Sequence, residues 1–208
     1  MFGHKSNPVR VLVVGLGNPG DKFASTRHNV GRETVEEIAE QHGQGFSKDR
    51  LAHSSVAKWE QISAPDAWGP TRGGTSNIEI VAAIPNTFMN ESGLAVRALY
   101  KTNKIESLDH VIVVHDEMDL APGIVKFKRG GGTAGHNGLQ SILGHIGSGD
   151  FLRIRVGIGK PPRANLGANF VLAKLSGHDL QELEDSKANA LDLLGQILNL
   201  GPSGNFLR

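Results

Sequence analysis

The sequence predicts an α/β class fold: a single-domain, three-layer arrangement with a mixed, largely buried β-sheet flanked by helices. Short apolar runs alternate along the chain with stretches of helical spacing, and no segment repeats. Residues 111–114 (VIVV) are apolar without a break, the pattern of a strand covered on both faces. At 208 residues the chain is long enough for one substantial core. The domain is expected to span 1–208, with an ordered core over 9–200 and a loop insertion at 63–77.

The elements follow in order. Residues 9–14 (VRVLVV) form an entering strand, and helical spacing begins near Val30 and runs through Val35, Ile38 and Ala39. Residues 54–62 read as a strand, and 63–77 (SAPDAWGPTRGGTSN) as an exposed connection rich in Pro and Gly. A clear strand at 77–84 leads through PNTFMNESG into a helix over 94–101, with Ser92 as its expected cap. The strand at 111–114 runs into HDEMDLAPG. A further strand at 124–128 precedes GGGTAGHNG and a helix with Leu139, Ile142, Leu143 and Ile146 on one face. Residues 151–158 alternate as a strand, 169–175 read as a short last strand, and 179–200 as a long terminal helix.

Composition excludes several chemistries. There is no cysteine, so disulfides, thiolate nucleophiles and thiolate metal sites are ruled out. The nine histidines never show a His-x-x-x-His or related ligand spacing. No apolar run approaches the roughly 18 residues of a membrane span, and MFGHKSNP lacks the apolar centre of a signal peptide. A cytoplasmic location is the resulting expectation. A net charge of +1 leaves any polyanion binding to local clusters.

In open α/β sheets, sites collect beyond the carboxyl ends of strands. Four polar loops follow strands here: GLGNPG with TRHN, PNTFMN, HDEMD and GGGTAGHNG. The first contains Gly15-x-Gly17-x-x-Gly20, which matches the dinucleotide fingerprint. However, the helix that should start at once is delayed by about ten residues, which argues against the pyrophosphate reading and leaves a nucleotide-dependent oxidoreductase as a trailing alternative. His28 with a carboxylate from the 115–119 loop would make a general base. No Gly-x-Ser-x-Gly occurs, so water is the expected nucleophile rather than serine. Asn18, Asn90 and Asn137 carry neutral amides suited to an ester or peptide carbonyl. Asn90 and Asn137 could instead cap the helices that follow them. His136 reads as a structural hydrogen-bonding residue, and Asp119 as a group tying its own turn.

Lys126 and Lys128 share one face of a strand by period two, as do Arg153 and Arg155, with Arg129, Lys160 and Arg163 nearby. They read either as a phosphate-tracking surface or as a solvated face without a partner. Phe23 is placed either to stack on a base or to join the core.

VVGLGNPGDKFASTRHNVG, PNTFMNESG, HDEMDLAPG, GGGTAGHNGLQSI and FLRIRVGIGKP together closely resemble the bacterial-type peptidyl-tRNA hydrolase family, in order from about residue 11 to 161. The resemblance implies hydrolysis of the ester joining a peptide to the 3′-terminal ribose of tRNA, by a compact monomer without metal or cofactor. It implies that His28 is the base for water, that Asp116 orients it, and that Asn18, Asn90 and Asn137 line the substrate site. It places Lys128 and Arg155 on the tRNA phosphates, and Phe23 beside the acceptor end. Two departures stand out. The family's usual tyrosine is Phe23 here, which removes a hydroxyl contact. Thr133-Ala134 replaces a glycine-rich pair, which predicts slightly narrower access. The family also includes relatives that bind RNA without hydrolysis, so a non-catalytic RNA-binding protein is the alternative. The complete His, Asp and Asn set favours the enzyme.

Overall fold

In a computed structural model, residues 8–70, 75–163 and 166–206 are described. The strands are β1 (Val9–Gly15), β2 (Ser47–Asp49), β3 (Ser54–Ser63), β4 (Ser76–Pro85), β5 (Val111–Glu117), β6 (Val125–Arg129) and β7 (Leu152–Gly157). They form one mixed sheet in the order β2-β3-β4-β1-β5-β7-β6. The central strands β4, β1, β5 and β7 are parallel, while β3 pairs antiparallel with β2 and β4 on one side and β6 antiparallel with β7 on the other.

The uninterrupted apolar strands have the expected cause. Val11, Val13, Ile112 and Val114 face α1 (Val30–Gln41) and α5 (Gly177–Leu200), against Val35, Ile38, Leu194 and Ile197. Leu12, Val14, Val111 and Val113 face α2 (Ser92–Thr102) and α3 (Asn137–Ile146), against Val96, Leu99, Leu139 and Ile142. Each central strand is thus buried twice, and alternation in polarity has no room to appear.

Three elements depart from the sequence expectation. Residues 169–175 are not a strand. Gly167–Leu172 is a short helix, α4, and only Lys174 makes an isolated bridge, with Thr26. An apolar run of that length fits either state, and the edge beside β7 is already filled by β6. β2 went unread because SKD is polar and short. Ser92 opens α2 instead of capping it, its hydroxyl donating to the Met89 carbonyl at 2.8 Å.

The 63–77 connection is shorter than expected, since β3 and β4 pair as far as Ser63 and Ser76; positions 71–74 lie outside the described residues. Its near half docks on the end of α5. The buried Trp68 indole N–H and the Ser63 hydroxyl both donate to the Leu198 carbonyl, at 3.0 and 2.7 Å. The Asn199 carbonyl accepts from the Ala64 N–H. Carbonyls orphaned at the helix end are satisfied in this way.

One close approach positions the site. Gly31, in the first turn of α1, lies against the carbonyl of Val114, where a Cβ would collide with the oxygen. The Leu16 N–H donates to that same carbonyl at 3.0 Å, and the Leu16 carbonyl accepts from Arg32 N–H at 2.8 Å. The start of α1 is therefore clamped onto β5 two residues before Asp116. Gly31→Ala is expected to lower stability in urea denaturation by about 1–3 kcal/mol, the usual scale of overpacking, and to reduce activity in the fraction that still folds.

Candidate active site

Three of the four loops supply His28, Asp116, His136 and Asn137 to a cleft of about 260 Å³, whose lining does not include Asn18, Phe23 or Asn90. The cleft floor is set by β5. Asp116 is 4% exposed, and its Oδ1 sits 2.9 Å from His28 Nδ1 and 3.0 Å from His136 Nε2. Burial alone would raise the carboxyl pKa, but the His28 and His136 rings, through charge and hydrogen bonds, hold it far below the ordinary carboxylate range. It is therefore an acceptor, and His28 donates from Nδ1. The reciprocal effect falls on His28. Burial pulls its pKa down, yet the Asp116 charge and hydrogen bond outweigh that and hold it above its ordinary value. His28 Nε2 is left as the free lone pair.

His136 is structural, as the sequence suggested, in a specific way. It is the N-cap of α3, and its Nδ1 accepts from the backbone N–H groups of Gly138 at 3.1 Å and Leu139 at 3.4 Å. Asn137 is consequently not a cap. Asn90 is not one either, since the turn at Met89–Glu91 and α2 start without a side-chain cap. Both amides are exposed and make no hydrogen bond among the described residues. The elements that carry them, α2 and α3, meet closely at Gly93, whose N–H donates to Ser141 Oγ at 2.9 Å.

Asn18 is buried, and half committed. Its Oδ1 accepts from the Met89 N–H at 2.9 Å, so the amide NH₂ is its uncommitted end. Sequence reading overlooked the residue that holds it. The Asn29 carboxamide pairs with the Asn18 backbone like a strand partner, Oδ1 accepting from N–H at 2.8 Å and Nδ2 donating to the carbonyl at 3.0 Å. Position 29, next to His28 in TRHN, was the available signal. Gly17 permits the approach, since a Cβ there would press on Arg32 and Asn29. The glycines of the first loop thus serve the packing of α1, and through it the placement of Asn18.

Phe23 is half-buried and meets Phe88 edge to face at 6.5 Å, with Lys22 Nζ 4.7 Å from its ring. Phe88 is 51% exposed and was not singled out in the sequence. Thr133 and Ala134 line the cleft, and Ala134 holds a left-handed φ of 47° that glycine would adopt without strain.

The cationic surface is smaller than the sequence suggested. Lys126 pairs across from Arg155, and Lys128 from Arg153. Arg153, however, is buried and donates to the carbonyls of Gly131, Gly132 and Gly149. It is spent on shaping the glycine loop. Arg155 is half-buried and ion-paired through Nε to Glu117 at 3.0 Å. Lys128 is exposed. Asp119 pairs with Lys160 at 2.9 Å, and the turn is tied instead by Glu117 Oε1, accepting from Asp119 N–H.

The donor atoms of His28, Asp116 and His136 lie within 4.8 Å of one another, close enough for a metal ion. The helix cap argues against one. With Nδ1 of His136 accepting backbone N–H groups, the ring proton resides on Nε2, where a metal would need the lone pair. The set is built for protons.

A family model described as peptidyl-tRNA hydrolase matches residues 12–205. The chain is 40% identical over 187 residues to the peptidyl-tRNA hydrolase of Methylococcus capsulatus, covering 90% of this chain and 91% of that one. It is 41% identical over 168 residues to that of Coxiella burnetii, covering 81% and 80%. The crystal structure of peptidyl-tRNA hydrolase from Acinetobacter baumannii superposes with a TM-score of 0.75 at 32% identity, over 90% of this chain and 88% of that one.

Asn29→Ala removes both bonds to the Asn18 backbone and is expected to cost about 1–3 kcal/mol in urea denaturation, from two buried hydrogen bonds. Asn90→Ala and Asn137→Ala, which hold no protein group, are expected to stay within about 0.5 kcal/mol of the parent. Equal midpoints for all three variants would remove the structural role given to Asn29.

Proposed function

The chain belongs to the peptidyl-tRNA hydrolase family, and we propose that, in hydrolysing the ester of peptidyl-tRNA, it uses His28 to activate the attacking water. The observation that carries this reading is the buried 2.9 Å bond between His28 Nδ1 and Asp116. It fixes the tautomer, leaves Nε2 basic, and supports the charge that forms when Nε2 takes a proton.

In this mechanism, water loses a proton to His28 Nε2 as its oxygen bonds to the ester carbonyl carbon. The oxyanion that develops is met by neutral amide donors, with the uncommitted NH₂ of Asn18 suited to the role and Asn90 and Asn137 at the rim. The bond from carbon to the ribose 3′-oxygen then breaks. The imidazolium returns its proton to that oxygen, giving a tRNA 3′-hydroxyl and a peptide carboxylic acid, which then releases its proton to solvent. Neutral amides also suit the amide of a blocked amino group, whereas a free ammonium would be desolvated without an acid partner.

Lys128 and Lys126 supply mobile charge for tRNA phosphates beside the cleft. Arg155 contributes from a fixed position against Glu117, and Phe23 with Phe88 offers ring faces to the acceptor end. The working form we propose is a monomer, as the family resemblance implies. Among the described residues no helix is long and apolar enough to cross a membrane, and the substrate arises in the cytoplasm, where we place the protein.

The value of kcat/KM is expected to rise with pH through an inflection above 6.5, the ordinary histidine value, because only neutral His28 serves as base. Asp116→Asn removes the charge that holds the proton on His28. The inflection should therefore move to lower pH while turnover falls about 10²–10⁴-fold, as measured on N-acetyl-aminoacyl-tRNA. Near-normal turnover in His28→Ala would defeat the assignment. Lys128→Ala is expected to raise KM at constant kcat and to reduce the slope of log affinity against log salt by about 1. An unchanged slope would return Lys128 to an unpartnered solvated face.

A further inference from the structure

We infer that His136 is a positioning residue for the reaction: fixed by its role as a helix cap, it holds the Asp116 carboxylate in place for His28. The inference rests on His28 being the base. It follows from counting protons around one oxygen. The two backbone N–H groups at the start of α3 are donors, so His136 Nδ1 must accept, and the single ring proton of the neutral imidazole lies on Nε2. Nε2 is 3.0 Å from Asp116 Oδ1, the same oxygen that receives His28 Nδ1–H. The cap thus determines the direction of the bond at the far end of the ring, and one carboxylate oxygen is gripped from two sides.

The ring is held in that pose. Its centroid lies 5.0 Å from that of His28 and 5.1 Å from that of His115, the latter edge to face. His115 is fully buried, and burial pushes it down to about 3, so it packs there as a neutral group. Its Nδ1–H donates to the Asp116 backbone carbonyl at 2.8 Å. The remaining titratable group on the cleft, Glu117, is engaged by Arg155 and the Asp119 N–H. No group other than His28 and His136 makes a hydrogen bond to the Asp116 side chain among the described residues. Without His136, the carboxylate would be held by His28 alone, and would be free to turn away from the imidazole it orients.

Two substitutions separate the cap from the proton. His136→Asn keeps a favoured N-cap acceptor but is too short to reach Asp116. His136→Gln keeps an N–H at the right reach and gives up the cap. Thermal unfolding, the steady-state constants on N-acetyl-aminoacyl-tRNA and the pH profile of kcat/KM would be measured for both. His136→Asn is expected to unfold near the parent temperature with KM unchanged. Its kcat should fall on the scale seen for outer partners of metal-bound histidines, about 10–100-fold. Its inflection should move to lower pH, the same direction as Asp116→Asn and by less, because the carboxylate has left His28. His136→Gln is expected to be less stable yet to recover part of kcat and of the inflection. Unchanged kcat and inflection in His136→Asn, equal loss in both variants, or an upward shift of the inflection would each overturn the positioning role. His28→Ala, run alongside, tells the two failures apart: turnover retained there defeats the base itself, whereas a dead His28→Ala beside a normal His136→Asn defeats only this inference.

Discussion

The structure turns on a single carboxylate oxygen. An ionised aspartate at the end of a fully buried strand is costly to desolvate, and Asp116 is tolerable there because two imidazoles donate to its Oδ1. Neither ring can be supplied by β5 itself. One must come from the turn before α1 and the other from the cap of α3, and these helices lie on opposite faces of the sheet. The charge can therefore be buried only if both layers are docked in register, which ties assembly of the site to assembly of the fold.

The devices that secure that docking are small. Gly31 admits the start of α1 to the Val114 carbonyl, and Gly93 admits α2 to α3. Asn29 imitates a strand partner for Asn18, and Arg153 binds two carbonyls of the glycine loop and that of Gly149. Each replaces a flexible connection with a hydrogen-bonded one, so the polar groups around the cleft are carried on fixed backbone. Ser25 and Ala134, in the first and last of the four polar loops, are left-handed residues held where glycine would rest easily.

Much of this was legible in the chain. The doubly apolar VIVV run identified a buried strand, and the polar loops after strands pointed to the cleft where His28, Asp116 and Asn137 meet, because both patterns arise from burial and sheet geometry. What stayed hidden depends on partners distant in sequence. Residues 169–175 carry an apolar run that fits strand or helix, and only the occupied sheet edge decides for α4. Arg153 and Arg155 look alike by period, yet one meets loop carbonyls and the other Glu117. Asn137 has the better cap chemistry, but backbone direction gave the cap to His136, one residue earlier. Asn29 was passed over because its partners are the backbone atoms of another loop, which carry no letter in a sequence.

The basic strand beside the cleft is also the end of the sheet. Among the described residues β6 has β7 on one side and no strand on the other, and an edge strand is the part of a sheet that can template pairing with a foreign chain. Lys126 and Lys128, both exposed on that strand, keep it hydrated and repulsive toward a second copy, while Arg129 is paired with Asp109. The same ammonium groups that suit a phosphate backbone thus guard against edge-to-edge fibre growth. A variant stripped of them would lose that protection from self-association.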